Sequence, residues 1–275
     1  MISCVLKNKL LLCIVILIGT AFYYTHSQNS SFYTWYPSEE KLPYGQDSIT
    51  VATYNIQYGK GQDGQVDIQR TIAKLQSLDA DIISLQEVER YSARSNFDDQ
   101  VKTIAKHLGM EVVFSPSLAY PGLYYGNAIL SKYPIKDTKV LSFDNRMENR
   151  SAIFSTIQVS ENESGLIHIV NTHLGLNKEE RQDAIIEIYQ KLETLQHLIL
   201  LMGDLNSTPS QNEYEHWNEL LTKSNKGLPL NTFYMNDWQI DYIFHSKHFT
   251  MKDIAVFESE TSDHYPLVGI FQINE

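Results

Sequence analysis

The chain has 275 residues, enough to bury a large core as one α/β domain or two. Its formal charge is −11, from 22 basic and 33 acidic residues, and no Lys/Arg run suited to tracking phosphates occurs, which argues against tight non-specific nucleic-acid binding. Both cysteines, Cys4 and Cys13, lie within the first thirty residues, so the rest of the chain has no disulfide framework, thiolate metal site or cysteine nucleophile.

In chain order, Lys7 and Lys9 precede an apolar run from Leu10 to Tyr24. Its length suits a signal-peptide core better than a full membrane span of about 20 residues. Thr25-His26-Ser27 matches the small-residue cleavage pattern poorly. Residues 1–30 therefore read as a signal peptide or an uncleaved membrane anchor, with the domain secreted or facing outside the cytoplasm. Residues 31–47, aromatic and polar, read as a linker whose Tyr and Trp side chains suit a membrane interface equally well. Residues 48–275 read as one domain.

That domain opens with the β-branched strand Ser48 to Tyr54, ending at Asn55. After a Gly-rich loop, Asp67 is the expected N-cap of a helix to about Leu78, with Ile68, Ile72, Leu75 and Leu78 on one face. Ile82 to Leu85 is a second strand, and Glu87 falls just past its end. Asp98 to Leu108 reads as a helix closed by Gly109. Strands follow at Gly126–Ser131, which carries Asn127, and at Ser151–Val159, with Arg150 at its entrance. Leu166–His173 is a further strand that ends in an imidazole. A helix from Lys178 to Leu195 leads to Leu198–Met202, an apolar run that reads as a strand buried on both faces. Gly203 permits a tight turn, and Asp204 and Asn206 emerge where that strand ends. Ile240–Phe244 embeds Asp241, and Asp263-His264 precede the closing strand.

Each of these polar residues alone has a local explanation, as a cap, a turn bond or a surface ion pair. Together, Asn55, Glu87, His173, Asp204, Asn206, Asp241, Asp263 and His264 all stand at or near strand ends, where α/β sheets place their chemistry. Carboxylates and amide oxygens suit hard Mg²⁺ or Mn²⁺ ions. A His backed by a carboxylate is stabilised as a cation and suits contact with phosphate.

At these residues the sequence resembles the endonuclease/exonuclease/phosphatase superfamily of metal-dependent hydrolases, the deoxyribonuclease-I-like proteins. The matching segments are Thr53-Tyr54-Asn55-Ile56, Leu85-Gln86-Glu87-Val88, Tyr125-Gly126-Asn127-Ala128, Asn171-Thr172-His173-Leu174, Gly203-Asp204-Leu205-Asn206, Ile240-Asp241-Tyr242-Ile243 and Ser262-Asp263-His264. The resemblance implies an α/β four-layer sandwich, two packed β-sheets flanked by helices, with a site at one end. It implies Glu87 as the principal ligand of Mg²⁺ or Mn²⁺, with Asn55 and Asp263 beside it. Asp204 would orient or deprotonate the attacking water, and Asn206 would hold that water or the phosphate. His264, oriented by Asp241, would contact the scissile phosphate, with His173 as a second site histidine. Asn127 and Arg150 would contact substrate.

The expected activity is phosphoester hydrolysis, phosphodiester ahead of monoester, by a monomer. Nucleic acid and phospholipid headgroups stay open as substrates, and the membrane as a partner if the leader is uncleaved. The alternatives are an extracellular nuclease on the same fold and a catalytically silent binding domain.

Overall fold

Short apolar runs separated by turn residues become thirteen strands among the residues that the computed structural model describes: 33–37, 48–120, 122–160, 165–195, 198–211, 213–225 and 227–274. The reading of residues 1–30 as a leader lies outside these. No helix among the described residues is long and apolar enough to cross a membrane.

The first five strands are β1 (Tyr33–Trp35), β2 (Ser48–Asn55), β3 (Ile82–Arg90), β4 (Glu111–Tyr120) and β5 (Leu123–Ser131). Next come β6 (Ile135–Phe143), β7 (Arg150–Gln158), β8 (Leu166–His173) and β9 (Leu198–Asp204). The chain closes with β10 (Leu221–Lys223), β11 (Asp241–Ser246), β12 (Phe249–Val256) and β13 (Leu267–Ile273). One sheet has seven strands in the order β1-β4-β5-β3-β2-β13-β12, and the other six in the order β10-β11-β9-β8-β7-β6. The β2–β3 and β8–β9 pairs are parallel. Among the described residues three α-helices, α1 (Ile68–Leu78), α2 (Gln100–Leu108) and α3 (Lys178–Leu192), lie on the outer faces.

The four-layer sandwich follows from strand periodicity, because successive side chains point to opposite faces. In β9, Leu198, Leu200 and Met202 face the core between the sheets, with Val51, Ile82 and Ile153. Ile199 and Leu201 face outward, against Ile185 and Ile188 of α3 and the fully buried Trp217. On the other outer face, Ile72 and Leu75 of α1 and Ile104 of α2 cover Ala52, Tyr54, Ile83 and Leu85. Both faces are dry, which is why these strands read as unbroken apolar runs. Asp67 caps α1 as expected, accepting from the Gln69 N–H (2.9 Å); Asp99 caps α2 from the Lys102 N–H (3.2 Å), and Asn177 caps α3 from those of Glu179 and Glu180.

Two expectations are corrected. The stretch read as a linker contributes β1, which pairs antiparallel with β4 (Tyr33 opposite Phe114) and packs Tyr33 under the Arg90 guanidinium at 4.0 Å. Three residues with alternating aromatic side chains are enough to extend an open sheet edge. The second strand also does not stop before Glu87. It continues to Arg90 across a register shift between Leu85 and Val88, so Glu87 stands on a bulge within β3.

The sheets are also joined by buried amides beside this bulge. Asn171 of β8 donates to the carbonyls of Leu85 (2.9 Å) and Ala128 (2.8 Å) and accepts from Gln86 (2.8 Å). Removing that side chain takes a hydrogen bond from each of three buried polar groups, and a buried group left unpaired costs about 1–3 kcal/mol. Asn171→Ala is therefore expected to lower the unfolding free energy by at least about 2 kcal/mol, read from urea titration. A loss below about 0.5 kcal/mol would show that these bonds do not hold the sheets together.

Candidate active site

Strand register places the chemistry. In the six-stranded sheet His173, Asp204 and Asp241 lie side by side across β8, β9 and β11. Asp204 and His173 end their strands, and Asp241 begins its own. Gly203 makes this possible: its φ is +148°, and a Cβ there would sit 1.9 Å from the Thr172 carbonyl oxygen. Asn206 then takes a left-handed conformation (φ 48°), which Asn tolerates, and returns its N–H to Asp204 Oδ1 at 2.9 Å. In the facing sheet Asn55 ends β2, and the β3 bulge turns Glu87 outward with φ 59°.

The amide of Asn55 bridges the two sheets. Its nitrogen donates to Glu87 Oε1 (3.0 Å) and Asp204 Oδ2 (3.0 Å), while its oxygen accepts the Gln57 N–H (3.1 Å). That last bond settles which end of the amide is which. Asn55 thus orients two carboxylates, and its oxygen faces the Gln57 backbone rather than Glu87. Asp263 is anchored through Oδ2 by Gln57 Nε2 at 2.8 Å. The Ser262 hydroxyl donates to the Asn55 carbonyl (2.7 Å) and receives the His264 N–H (3.2 Å), linking the last motif to the first.

His264 Nδ1 donates to Asp241 Oδ2 at 2.8 Å, its Nε2 lies 3.7 Å from Asp204 Oδ2, and the Phe233 ring closes over it edge-on at 5.1 Å. Burial alone would push this imidazole down, but Asp241 and Asp204 outweigh it and raise the pKa well above 6.5, so His264 is a cation at neutral pH. Asp204 is pushed up by burial first and by the Asp241 charge, against the pull of His264. His173 goes the other way: burial, then the Arg150 and His264 charges, hold it well below 6.5. Its Nδ1 lies 3.4 Å from Arg150 Nη1, and its Nε2 lies 3.1 Å from Asn206 Nδ2 and 3.4 Å from Asp204 Oδ2. One site thus holds a charged and a neutral histidine.

Arg150 begins β7 beside this pair, buried, with its guanidinium on Glu148. Asn127 is placed differently. Its amide nitrogen binds the Ser151 carbonyl (3.1 Å) and hydroxyl (3.2 Å), tying β5 to β7 next to Arg150. Of the tyrosines near it, Tyr124 and Tyr125 are buried in packing and only Tyr120 is exposed. A cleft of about 590 Å³ opens beside His264 and Asn206, walled by Leu176, Phe233 and Trp238.

Oxygen ligands for a divalent ion are present on two sides. Asp204, Asp241 and His264 offer atoms within 4.8 Å of one another, but all three are buried and His264 Nδ1 already serves Asp241. Their closeness is that of an ion-paired cluster. Glu87 and Asp263 are half-buried carboxylates at the open side, and this donor set fits a hard cation better.

Four residues that hold the site were not singled out from sequence: Gln57, Ser262, Glu148 and Thr232, whose hydroxyl accepts the Asp241 N–H at 3.1 Å. Two carried a signal: Ser262 stands within the Ser262-Asp263-His264 segment, and Glu148 is a carboxylate two residues before Arg150 at a strand entrance.

A solved structure described as an endonuclease/exonuclease/phosphatase from Beutenbergia cavernae DSM 12333 superposes with a TM-score of 0.70 at 21% identity, covering 83% of this chain and 72% of that one. A mannosyl-6-phosphatase from Bacteroides thetaiotaomicron VPI-5482 does so with 0.65 at 19%, covering 81% and 99%. At these identities both show the fold alone. YbhP, an uncharacterized protein of Escherichia coli K12, is 26% identical over 147 residues, 48% of this chain, so the match spans about half (56%) of that relative's length. The endonuclease/exonuclease/phosphatase family model matches residues 52–264, nearly the whole sandwich and every residue of this cluster, and the chain therefore belongs to that family.

Proposed function

We propose that the protein hydrolyses phosphodiesters with Mg²⁺ or Mn²⁺, by in-line attack of water. One observation carries the reading. A cationic His264, the buried carboxylate of Asp204 and the outward carboxylate of Glu87 meet at one end of two sheets, joined through the amide of Asn55.

Glu87 and Asp263 would hold the ion, with Asn55 orienting Glu87. When bound, it polarises the phosphoryl oxygen and stabilises the departing alkoxide. Asp204, with its raised pKa, takes the proton from the attacking water. His264 keeps its Nδ1 hydrogen on Asp241 and presents the Nε2 hydrogen to a phosphoryl oxygen. Asn206 keeps its amide nitrogen on the Leu174 carbonyl (2.9 Å) and turns its oxygen to the water. His173 is neutral and positions Asn206 and Arg150, and Arg150 receives the substrate phosphate. The apolar segment and charges of residues 1–30 support a domain working outside the cytoplasm.

The test is turnover of bis-p-nitrophenyl phosphate, DNA and RNA with Mg²⁺, Mn²⁺ or EDTA. Metal-dependent release of nitrophenol that tolerates salt is the expected result. Degradation of nucleic acid that falls steeply with salt would favour the nuclease instead. No turnover of any phosphoester, with metal, would leave a silent binding domain.

A further inference from the structure

Glu148 stands in the loop between β6 and β7, two residues before Arg150, and its Oε1 contacts Arg150 Nη1. The Arg150 side chain is 8% exposed and that of Glu148 30%. A guanidinium beside His173 is therefore already paired with a carboxylate that lines the same pocket. This pairing is not what holds the loop, whose backbone is tied elsewhere: the Asn145 N–H to Asn149 Oδ1 (3.3 Å) and the Arg146 N–H to Glu180 Oε1 (3.0 Å). Nor is the guanidinium fully used, because Arg150 Nε is buried with no hydrogen-bond partner. Burial pushes the Glu148 carboxyl up, with a further push from the Glu87 charge, against the pull of Arg150 and Arg94. Arg94, whose charge also reaches Glu148, is committed to the buried Glu89 and stacked over Tyr58 at 3.8 Å.

We propose that Glu148 sets the charge of the phosphate this site accepts, admitting the singly charged phosphodiester and disfavouring the doubly charged phosphomonoester. The inference rests on the reading of Arg150 as the phosphate contact. A phosphate on Arg150 shares that guanidinium with the Glu148 carboxylate, and every negative charge it carries is repelled. A second charge at neutral pH doubles that repulsion. In a half-buried site one added unit charge a few ångströms away changes binding by about 10- to 100-fold.

The experiment compares kcat/KM for p-nitrophenyl phosphate and bis-p-nitrophenyl phosphate at pH 8 with Mn²⁺, in the wild type, Glu148→Gln and Glu148→Asp. Glu148→Gln is expected to raise the monoester-to-diester ratio at least about tenfold. Glu148→Asp, which keeps the charge, should leave that ratio within about threefold of the wild type. Inhibition by inorganic phosphate, a dianion, should strengthen in Glu148→Gln more than inhibition by dimethyl phosphate, a monoanion. Equal changes for both esters, or an unchanged ratio, would overturn the role of Glu148 while leaving the phosphodiesterase reading intact. A wild type that turns over neither ester overturns both.

Discussion

Replacing His264 by Ala lowers kcat/KM on a phosphodiester by at least about 10²-fold, the scale of losing a preorganised charge at the reacting phosphate. The loss should appear mainly in kcat, since the cation serves charge that grows in the transition state. Asp241→Asn gives the sharper signature. The imidazole titrates above 6.5 because Asp241 and Asp204 outweigh its burial, so removing the Asp241 charge brings it back down. The cation is lost as pH rises through the folded value, so the alkaline limb of the kcat/KM profile moves to lower pH in this variant. The acid limb, set by Asp204, stands well above the ordinary carboxylate range near 4 in the wild type, because burial raises that group. The same linkage governs stability. A histidine raised on folding contributes stability that is fully present below about 6.5 and is lost as pH climbs through the raised value. An Asp241→Asn profile that overlays the wild type would show that this pair does not tune the site.

Replacing Glu87 by Gln is expected to cost at least about 10²-fold in kcat/KM and to weaken Mn²⁺ binding measured by calorimetry. The substitution keeps the shape, so the β3 bulge is retained and thermal stability should barely move. What it removes is the negative charge at the open side, next to Asn55 (3.0 Å). EDTA should abolish wild-type turnover, with Mn²⁺ or Mg²⁺ restoring it. A Glu87→Gln protein with full activity and an unchanged Mn²⁺ titration would move the ion elsewhere, with the buried Asp204, Asp241 and His264 cluster as the next candidate.

The strands that carry the site were legible because each is an apolar or β-branched run that ends on a polar residue. Leu198–Asp204 and Leu166–His173 are the clearest, and their ends do meet in register. The third layer of information, which residue faces which, was not legible. Nothing in the spacing says that Asn55 turns its nitrogen to the carboxylates, since that depends on the Gln57 backbone two residues on. The bulge at Glu87 escaped for a related reason: Val88, Glu89 and Arg90 break the apolar alternation, yet all three are buried, with Asp99 and Arg94 of the following loop pairing with Arg90 and Glu89. β6 and β12 carry mixed polar and apolar residues at sheet edges, and they and β4 were not separated from loops. The three-residue β1 is shorter than any pattern that periodicity can detect.

The amide of Asn171, bolted to both sheets, has a consequence for how this protein would fail. The machinery straddles two separately hydrogen-bonded slabs, and the loop that carries Asp263 and His264 is tied to the first of them through Ser262. A slip of one slab past the other would misalign proton acceptor and phosphate together, long before either slab melts. Inactivation should therefore track loosening of the seam between the slabs, and substitutions deep in that seam would blunt turnover from well outside the cleft.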